Sequence, residues 1–277
     1  MEFTKIGAGA FAALGIGAAL AFAVPVGLAL LWVFRKKEKL TTVLIGAAVF
    51  VVFALILEKP LQALLLVPDH AVSRFLKANP VWFALVGGLF AGVFEETGRL
   101  AAFKTVLKHR RNRETAVSYG IGHGGAEVIL ILGLTYVTNL SYAVMINTGT
   151  FGTVVDQVAA QAPDQVETLY TLAEQIASLT LAGVGMGLLE RVFAVLFHLG
   201  ASILVFYACR DRSRFWLYPL AIVLHTALDF VAGLASTQVI ALPVWAIEAI
   251  IGVFGVVTFC GAYLLLYRRD AGASERA

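Results

Sequence analysis

The sequence has little charge for its length. Only 14% of its 277 residues are charged, whereas 60% are hydrophobic, and soluble globular proteins carry about 25% charged residues. The mean hydropathy is correspondingly high, at +0.85. This composition excludes an ordinary soluble domain and indicates an integral membrane protein.

Cysteine is also scarce, and several protease signatures are missing. Cys209 and Cys260 stand alone in apolar runs, so neither a disulfide framework nor a CxxC metal site is expected. The motifs HExxH, GxGD and GxSG are absent, which excludes helical zinc proteases, presenilin-like aspartyl proteases and rhomboid-like serine proteases. The basic residues lie in short loops beside apolar runs, so no nucleic-acid partner is expected.

Long apolar runs predict an all-α, polytopic transmembrane helix bundle with seven spans. We expect one integral membrane domain, 1–277, whose core helices lie at about 81–235. The segment 58–80 is apolar but interrupted by prolines, which favours an interfacial helix or a re-entrant piece. The predicted spans are at about 6–34, 40–57, 81–107, 115–138, 178–209, 215–235 and 242–267.

The distribution of Lys and Arg predicts the orientation in the membrane. Basic clusters follow spans one, three, five and seven, at 35–39, 108–113, 210–214 and 268–269, whereas 139–177 contains no Lys or Arg. Because cytoplasmic loops carry the excess of basic residues, the N-terminus is expected outside and the C-terminus in the cytosol. The expected location is the plasma (cytoplasmic) membrane of a prokaryote.

Spans three to six carry ionisable residues in their interiors. The four that lie at one predicted depth, Glu95, His123, His198 and His225, are each 10 to 13 residues from the nearest cytosolic basic residue. At about 1.5 Å of rise per residue they should meet near the middle of the bilayer. The complete set is Glu95, Glu96, Arg99, His123, Glu127, Glu190, Arg191, His198, His225 and Asp229.

Helical spacing predicts which of these side chains share a helix face. The pairs Glu95/Arg99, His123/Glu127 and His225/Asp229 are each separated by four residues, and Arg191 and His198 by seven. Each pair therefore combines a ligand or base with a group that can orient or neutralise it.

The charge balance of this set indicates a cation. Five carboxylates face only two arginines, so some carboxylates are protonated or a divalent metal lies among them. Three imidazoles with nearby carboxylates suit a catalytic metal site, in which a Glu takes the proton of a water. The predicted chemistry is metal-assisted hydrolysis.

Two alternatives use the same residues. Buried carboxylates and histidines also form cation or proton pathways, so a transporter is the rival function. The inverted repeats typical of many transporters are not visible in the sequence. A catalytically silent scaffold or chaperone is the third possibility.

Four motifs on successive spans, "FEETGR", "GHGGAE", "ERVFAVLFH" and "HTALD", resemble the YhfC-type intramembrane metalloproteases, which are related to the CAAX-processing and bacteriocin-immunity (CPBP) membrane proteases. The resemblance covers about 85–235 and implies four core helices around a catalytic site. It also implies that Glu95 and Glu96 match the paired glutamates, and that His198 and His225 match the motif histidines. Two departures are the shorter spacing from Glu96 to Arg99 and Asp229 in place of a common Asn.

The resulting hypothesis is an intramembrane metalloprotease acting on a membrane protein or peptide within the lipid bilayer or next to it. His123, His198 and His225 hold a divalent metal, expected to be Zn, and Glu95 or Glu96 is the general base. Arg99 and Arg191 hold the carboxylates in place and help to stabilise an oxyanion. Further ligands, or partners that fix the imidazoles, are Glu127, Glu190 and Asp229.

Overall fold

The computed structural model describes residues 3–270, and within them it contains helices and no strands. Seven of the helical stretches are long and apolar enough to cross a membrane. The prediction of an all-α polytopic protein with seven spans is therefore confirmed. The spans are Ala8–Lys36, Leu40–Leu66, Pro80–Lys104, Glu114–Thr148, Leu181–Arg210, Arg212–Ser236 and Val244–Asp270.

Twelve α-helices and three π-helical segments make up these spans and their connections in residues 3–270. The α-helices are α1 (Ala8–Lys36), α2 (Leu40–Phe50), α3 (Lys59–Leu66), α4 (Ala71–Ala78), α5 (Pro80–Lys104), α6 (Glu114–Glu127), α7 (Leu134–Thr148), α8 (Phe151–Gln161), α9 (Val166–Ala177), α10 (Leu181–Arg210), α11 (Leu217–Ser236) and α12 (Val244–Ala262). The π-helical segments are Val51–Glu58, Val128–Gly133 and Tyr263–Tyr267.

Two boundaries differ from the sequence prediction. The fourth span continues to Thr148, ten residues beyond its predicted end, because the turns after residue 138 remain apolar and form α7. The segment 58–80 forms α3, which extends the second span, and the short helix α4. Pro60 causes no break, because it lies in the first turn of α3, where a helix needs no backbone N–H from it.

The chain divides into two compact units. The first comprises 1–24 and 128–189, and its core includes Leu14, Phe151 and Ile176. The second comprises 25–127 and 190–277 and contains every predicted site residue. The single domain inferred from the sequence stays a prediction, and its ends, 1–2 and 271–277, lie outside the described residues.

In the second unit, helices approach closely at glycines. A Cβ atom on Gly92 of α5 would lie 2.8 Å from the carbonyl oxygen of Ile222 in α11. A Cβ on Gly122 of α6 would overlap the carbonyl oxygen of Val43 in α2. Only glycine permits this backbone contact, so Gly92 sets how near α11 comes to α5, and Gly122 sets how near α6 comes to α2.

Candidate active site and metal centre

Four helices of the second unit, α5, α6, α10 and α11, carry the predicted site residues. The side chains at the centre of the site are buried among these helices, and none of the six residues is more than 7% exposed. The first and last of them, Glu95 and His225, are 130 positions apart in the sequence, and all six meet in one cluster. The buried set is Glu95, Glu96, Arg99, His123, His198 and His225.

Arg99 organises one half of the site. Its Nη1 donates to both carboxylate oxygens of Glu96, at 2.6 and 2.7 Å, and its Nη2 lies 3.2 Å from Nδ1 of His198. Glu96 Oε1 also accepts from Nδ1 of His225 at 2.9 Å. Arg99 and Glu96 are both completely buried, so their charges have no water to stabilise them and depend on this network.

Glu95 and His123 form the other half. His123 Nε2 lies 2.8 Å from Glu95 Oε2, and the two imidazoles of His123 and His198 have ring centroids 4.8 Å apart. The ligand atoms of Glu95, His123 and His198 all lie within 4.8 Å of one another. Three such donors so close together can share one metal ion.

The contacts determine the tautomers of two histidines. His225 donates from Nδ1 to Glu96, so in its neutral form Nε2 has a free lone pair, 4.0 Å from Glu95 Oε2 and 3.7 Å from Asp229 Oδ2. A histidine that donates one ring N–H to a carboxylate is the usual arrangement of a metal ligand. Arg99 can only donate, so Nδ1 of His198 accepts and Nε2 of His198 carries the proton.

His198 Nε2 donates that proton to Glu127 Oε2 at 2.6 Å. Arg191 Nη1 donates to the other oxygen, Glu127 Oε1, at 2.5 Å, and Arg191 also binds Glu190. The hydrogen bond to Glu127 keeps the proton on Nε2 of His198, so a ligand role for His198 belongs to Nδ1, whose lone pair accepts from Arg99 in this structure.

Exposure rises from the centre of the site towards one side. The exposed fraction of the side chain is 9% for Glu95, 17% for Glu127, 30% for Glu190 and 37% for Asp229. Carboxylates in contact with hydrocarbon would be costly, so the exposed parts of Glu190 and Asp229 are expected to meet water instead of lipid.

Several pairings differ from those that helical spacing suggests. Arg99 binds Glu96, three residues away, and Glu127 binds His198 and Arg191 instead of His123 on its own helix. Spacing along one helix cannot show which neighbouring helix a side chain faces.

The sequence reasoning missed Glu58. The predicted second span ends at 57 and leaves Glu58 in the proline-interrupted segment 58–80. In the structure the π-helical segment Val51–Glu58 includes it, and only 1% of it is exposed. The segment packs along α5, where a Cβ on Gly98 would contact Phe53. The Glu58 carboxylate interacts electrostatically with Glu95 and with Asp229.

One signal in the sequence could have identified this residue. Glu58 is the only carboxylate in the apolar run of the second span, 40–66, and Lys59 next to it is the only cation there. In the structure Lys59 Nζ binds Glu58 Oε1 at 3.0 Å, while Oε2 of Glu58 has no hydrogen-bond partner within residues 3–270.

The donor set fits a divalent cation. Nδ1 of His123 is buried without a hydrogen-bond partner among the described residues, so no second group holds this imidazole in one tautomer. Either a proton or a cation must separate His123 Nε2 from Glu95 Oε2 at 2.8 Å, because two lone pairs would repel each other. Imidazoles with carboxylates are ligands that suit Zn²⁺ and similar metals.

The fold and the site together define the class of protein. It is a multi-span membrane protein with a buried cluster of histidines and carboxylates that can bind a metal. The chain belongs to the YhfC intramembrane metalloprotease family, whose sequence model matches residues 20–251. It is similar to the "Uncharacterized membrane protein YhfC" of Bacillus subtilis (strain 168), with 32% identity over 228 residues that cover 82% of this chain and 85% of that protein. No solved structure matches the chain.

Proposed function

We propose that this protein is an intramembrane metal-dependent peptidase that hydrolyses a peptide bond within the bilayer or next to it. The observation that carries this proposal is the grouping of ligand atoms from Glu95, His123 and His198 within 4.8 Å of one another, buried in the second unit. The family name supports the same class of activity. The substrate is a membrane protein or membrane-bound peptide, which reaches the site from the side of Asp229 and Glu190.

Glu95 is the general base in this proposal. Glu95 Oε1 makes no hydrogen bond within residues 3–270, and the side chain is 9% exposed, so it can contact a water. Glu95 accepts a proton from the water as the water oxygen attacks the carbonyl carbon of the peptide bond. It then returns the proton to the leaving amine as the C–N bond breaks.

Glu96 and Arg99 are positioning residues. Both oxygens of Glu96 accept from Arg99, and one also accepts from His225, so little capacity remains for a water. Nη1 of Arg99 is engaged by Glu96 and Nη2 by His198, so we assign Arg99 to holding these side chains. The pair also holds His225 with its Nε2 lone pair towards Glu95.

His123, His198 and His225 are the residues that hold the metal, with Glu95 beside them. When bound, a divalent cation such as Zn²⁺ supplies Lewis acidity to the scissile carbonyl group. Glu127 accepts the Nε2–H of His198 and so fixes its tautomer, and Arg191 keeps Glu127 in place. Asp229, whose Oδ2 lies 3.7 Å from Nε2 of His225, is a further ligand beside that atom, and Glu190 orients Arg191.

The remaining parts of the proposal concern location and organisation. The whole chain acts as one membrane domain in the plasma membrane of a prokaryote, with its N-terminus outside and its C-terminus in the cytosol. The Lys/Arg asymmetry of the loops supports this orientation.

The test is cleavage of a single-span reporter protein co-reconstituted with the purified enzyme in liposomes. We expect cleavage by the wild type and loss of cleavage in Glu95→Gln. The matched control is Glu114→Gln, because Glu114 is the first residue of α6 and lies away from the histidines, and its cleavage should be unchanged. Elemental analysis should find near-stoichiometric divalent metal in the wild type and a deficit in His123→Ala.

Two outcomes would contradict the proposal. Full cleavage by chelated, metal-free protein would show that the histidines do not act through a metal. Ion flux into the liposomes without any cleavage, stopped by Glu95→Gln, would assign the site to transport instead.

A further inference from the structure

A polar cavity lies at the C-terminal ends of α5 and α10. It has a volume of about 370 Å³. Its floor is apolar and includes the buried side chains of Phe103, Leu107 and Phe206. Five cationic side chains surround this floor, namely Lys104, Lys108, Arg110, Arg111 and Arg210.

The positive charge of this cavity is largely uncompensated. Among the described residues only Arg210 has a carboxylate partner, Asp270, at 2.9 Å. Lys108 and Arg111 form no ion pair or side-chain hydrogen bond within residues 3–270, and no acidic residue lines the cavity. Four of the five cationic side chains are exposed, so water partly screens their mutual repulsion, and an anion between them would lower it further.

Three of the cations are held in place by the protein. Arg110 donates to the hydroxyl groups of Thr41 and Thr42, and Arg210 is fixed by Asp270. Lys104 Nζ lies over the ring of Phe215, 4.8 Å from its centroid. Such contacts reduce the entropy lost when an anion binds, so the cavity is preorganised for one.

The position and the lining select the kind of anion. The cavity lies where α5 and α10 end, at Lys104 and Arg210, which is the level expected for lipid headgroups. Guanidinium and ammonium groups bind phosphate, and an apolar floor favours a ligand with hydrocarbon next to its phosphate. We propose that this cavity binds the phosphate group of an anionic phospholipid.

The proposal is independent of the peptidase function. A lipid bound here contacts α5 and α10 together, the two helices that carry Glu96 and His198. Ligands that bind only the folded state stabilise it, so occupancy raises the melting temperature.

Native mass spectrometry of the full chain, titrated with phosphatidylglycerol or phosphatidylcholine, tests the proposal. We expect saturable binding of phosphatidylglycerol, and roughly 30-fold weaker binding in Lys108→Gln/Arg111→Gln, since each cation near a membrane surface contributes about 1 kcal/mol. Phosphatidylglycerol should also raise the melting temperature of the wild type more than that of this variant. Because Lys108 and Arg111 form no ion pair or side-chain hydrogen bond within residues 3–270, the variant should fold.

The matched control is Lys36→Gln/Lys37→Gln, which removes the same charge at the same end of the helices outside the cavity. Equal loss of phosphatidylglycerol binding in the two variants would reduce the effect to general surface charge and overturn the proposal. If the wild type bound phosphatidylcholine as strongly as phosphatidylglycerol, that result would also overturn the proposal. Saturable binding of inorganic phosphate in phosphatidylcholine nanodiscs, lost in the cavity variant, would assign the site to a soluble phosphate instead of a lipid.

Discussion

Replacement of Arg99 by methionine is the most informative perturbation of the buried network. The guanidinium donates twice to Glu96 and approaches His198, and Arg99 and Glu96 are both 0% exposed. Arg99→Met keeps most of the side-chain volume but leaves the carboxylate of Glu96 with His225 as its remaining partner. Removing one member of a buried ion pair costs about 3–5 kcal/mol, and we expect a loss of that size in the free energy of unfolding.

The double variant Glu96→Gln/Arg99→Met separates the stranded charge from lost packing. Glu96→Gln alone should also cost about 3–5 kcal/mol, because it leaves the buried guanidinium of Arg99 without a carboxylate partner. With both charges removed, no uncompensated charge remains in the interior. The double variant should therefore be more stable than the sum of the single effects predicts, by about 1–2 kcal/mol or more.

The measurement is reversible unfolding of the purified variants in dodecylmaltoside with increasing dodecylsulfate, followed by tryptophan fluorescence. Arg113→Met is the control, because Arg113 pairs with Glu114 in a partly exposed bridge, and such pairs contribute about 0–1 kcal/mol. A loss below about 1 kcal/mol for Arg99→Met, or purely additive effects in the double variant, would refute the view that this pair neutralises charge in a dry interior.

Three further predictions concern other parts of the chain. Glu58→Gln should weaken binding of Zn²⁺ several-fold in calorimetric titration, because it removes a buried carboxylate that interacts electrostatically with Glu95 and Asp229; unchanged affinity would place Glu58 outside the site's electrostatics. Gly122→Ala should prevent correct packing of α6 on α2 and lower the melting temperature sharply, whereas Gly15→Ala, where a Cβ would meet nothing within 4 Å, should have little effect. In cysteine labelling of otherwise Cys-free protein, Asn112→Cys should react only from the cytosolic side and Ala160→Cys only from the outside, and labelling of both from one side would overturn the proposed orientation.

The sequence alone determined the class of the fold and the level of the site. Apolar runs of membrane-spanning length can form only helices in a bilayer, because every backbone group must be satisfied within the segment. Basic residues at the helix ends anchor each span, so counting from them placed Glu95, His123, His198 and His225 at one depth. The contacts among these four residues follow from that common depth.

Tertiary structure decided which side chains touch. Arg99 lies on a face of α5 where both Glu95 and Glu96 are within range, and only the packing of α10 and α11 against α5 directs it to Glu96 and His198. Glu127 likewise turns to α10, because His198 and Arg191 face it there.

The burial of Glu58 inside the protein depends on backbone geometry, which hydropathy cannot show. Hydropathy gives the length of a span but not the rotation of each turn about the helix axis, and a π-helical stretch changes that rotation. The segment Val51–Glu58 is π-helical, and it carries a carboxylate from just beyond the predicted span into the protein beside α5. The depth of a residue in the membrane therefore depends on one span and its flanking charges. Which side chains pair with each other depends on the rotation and packing of several helices at once.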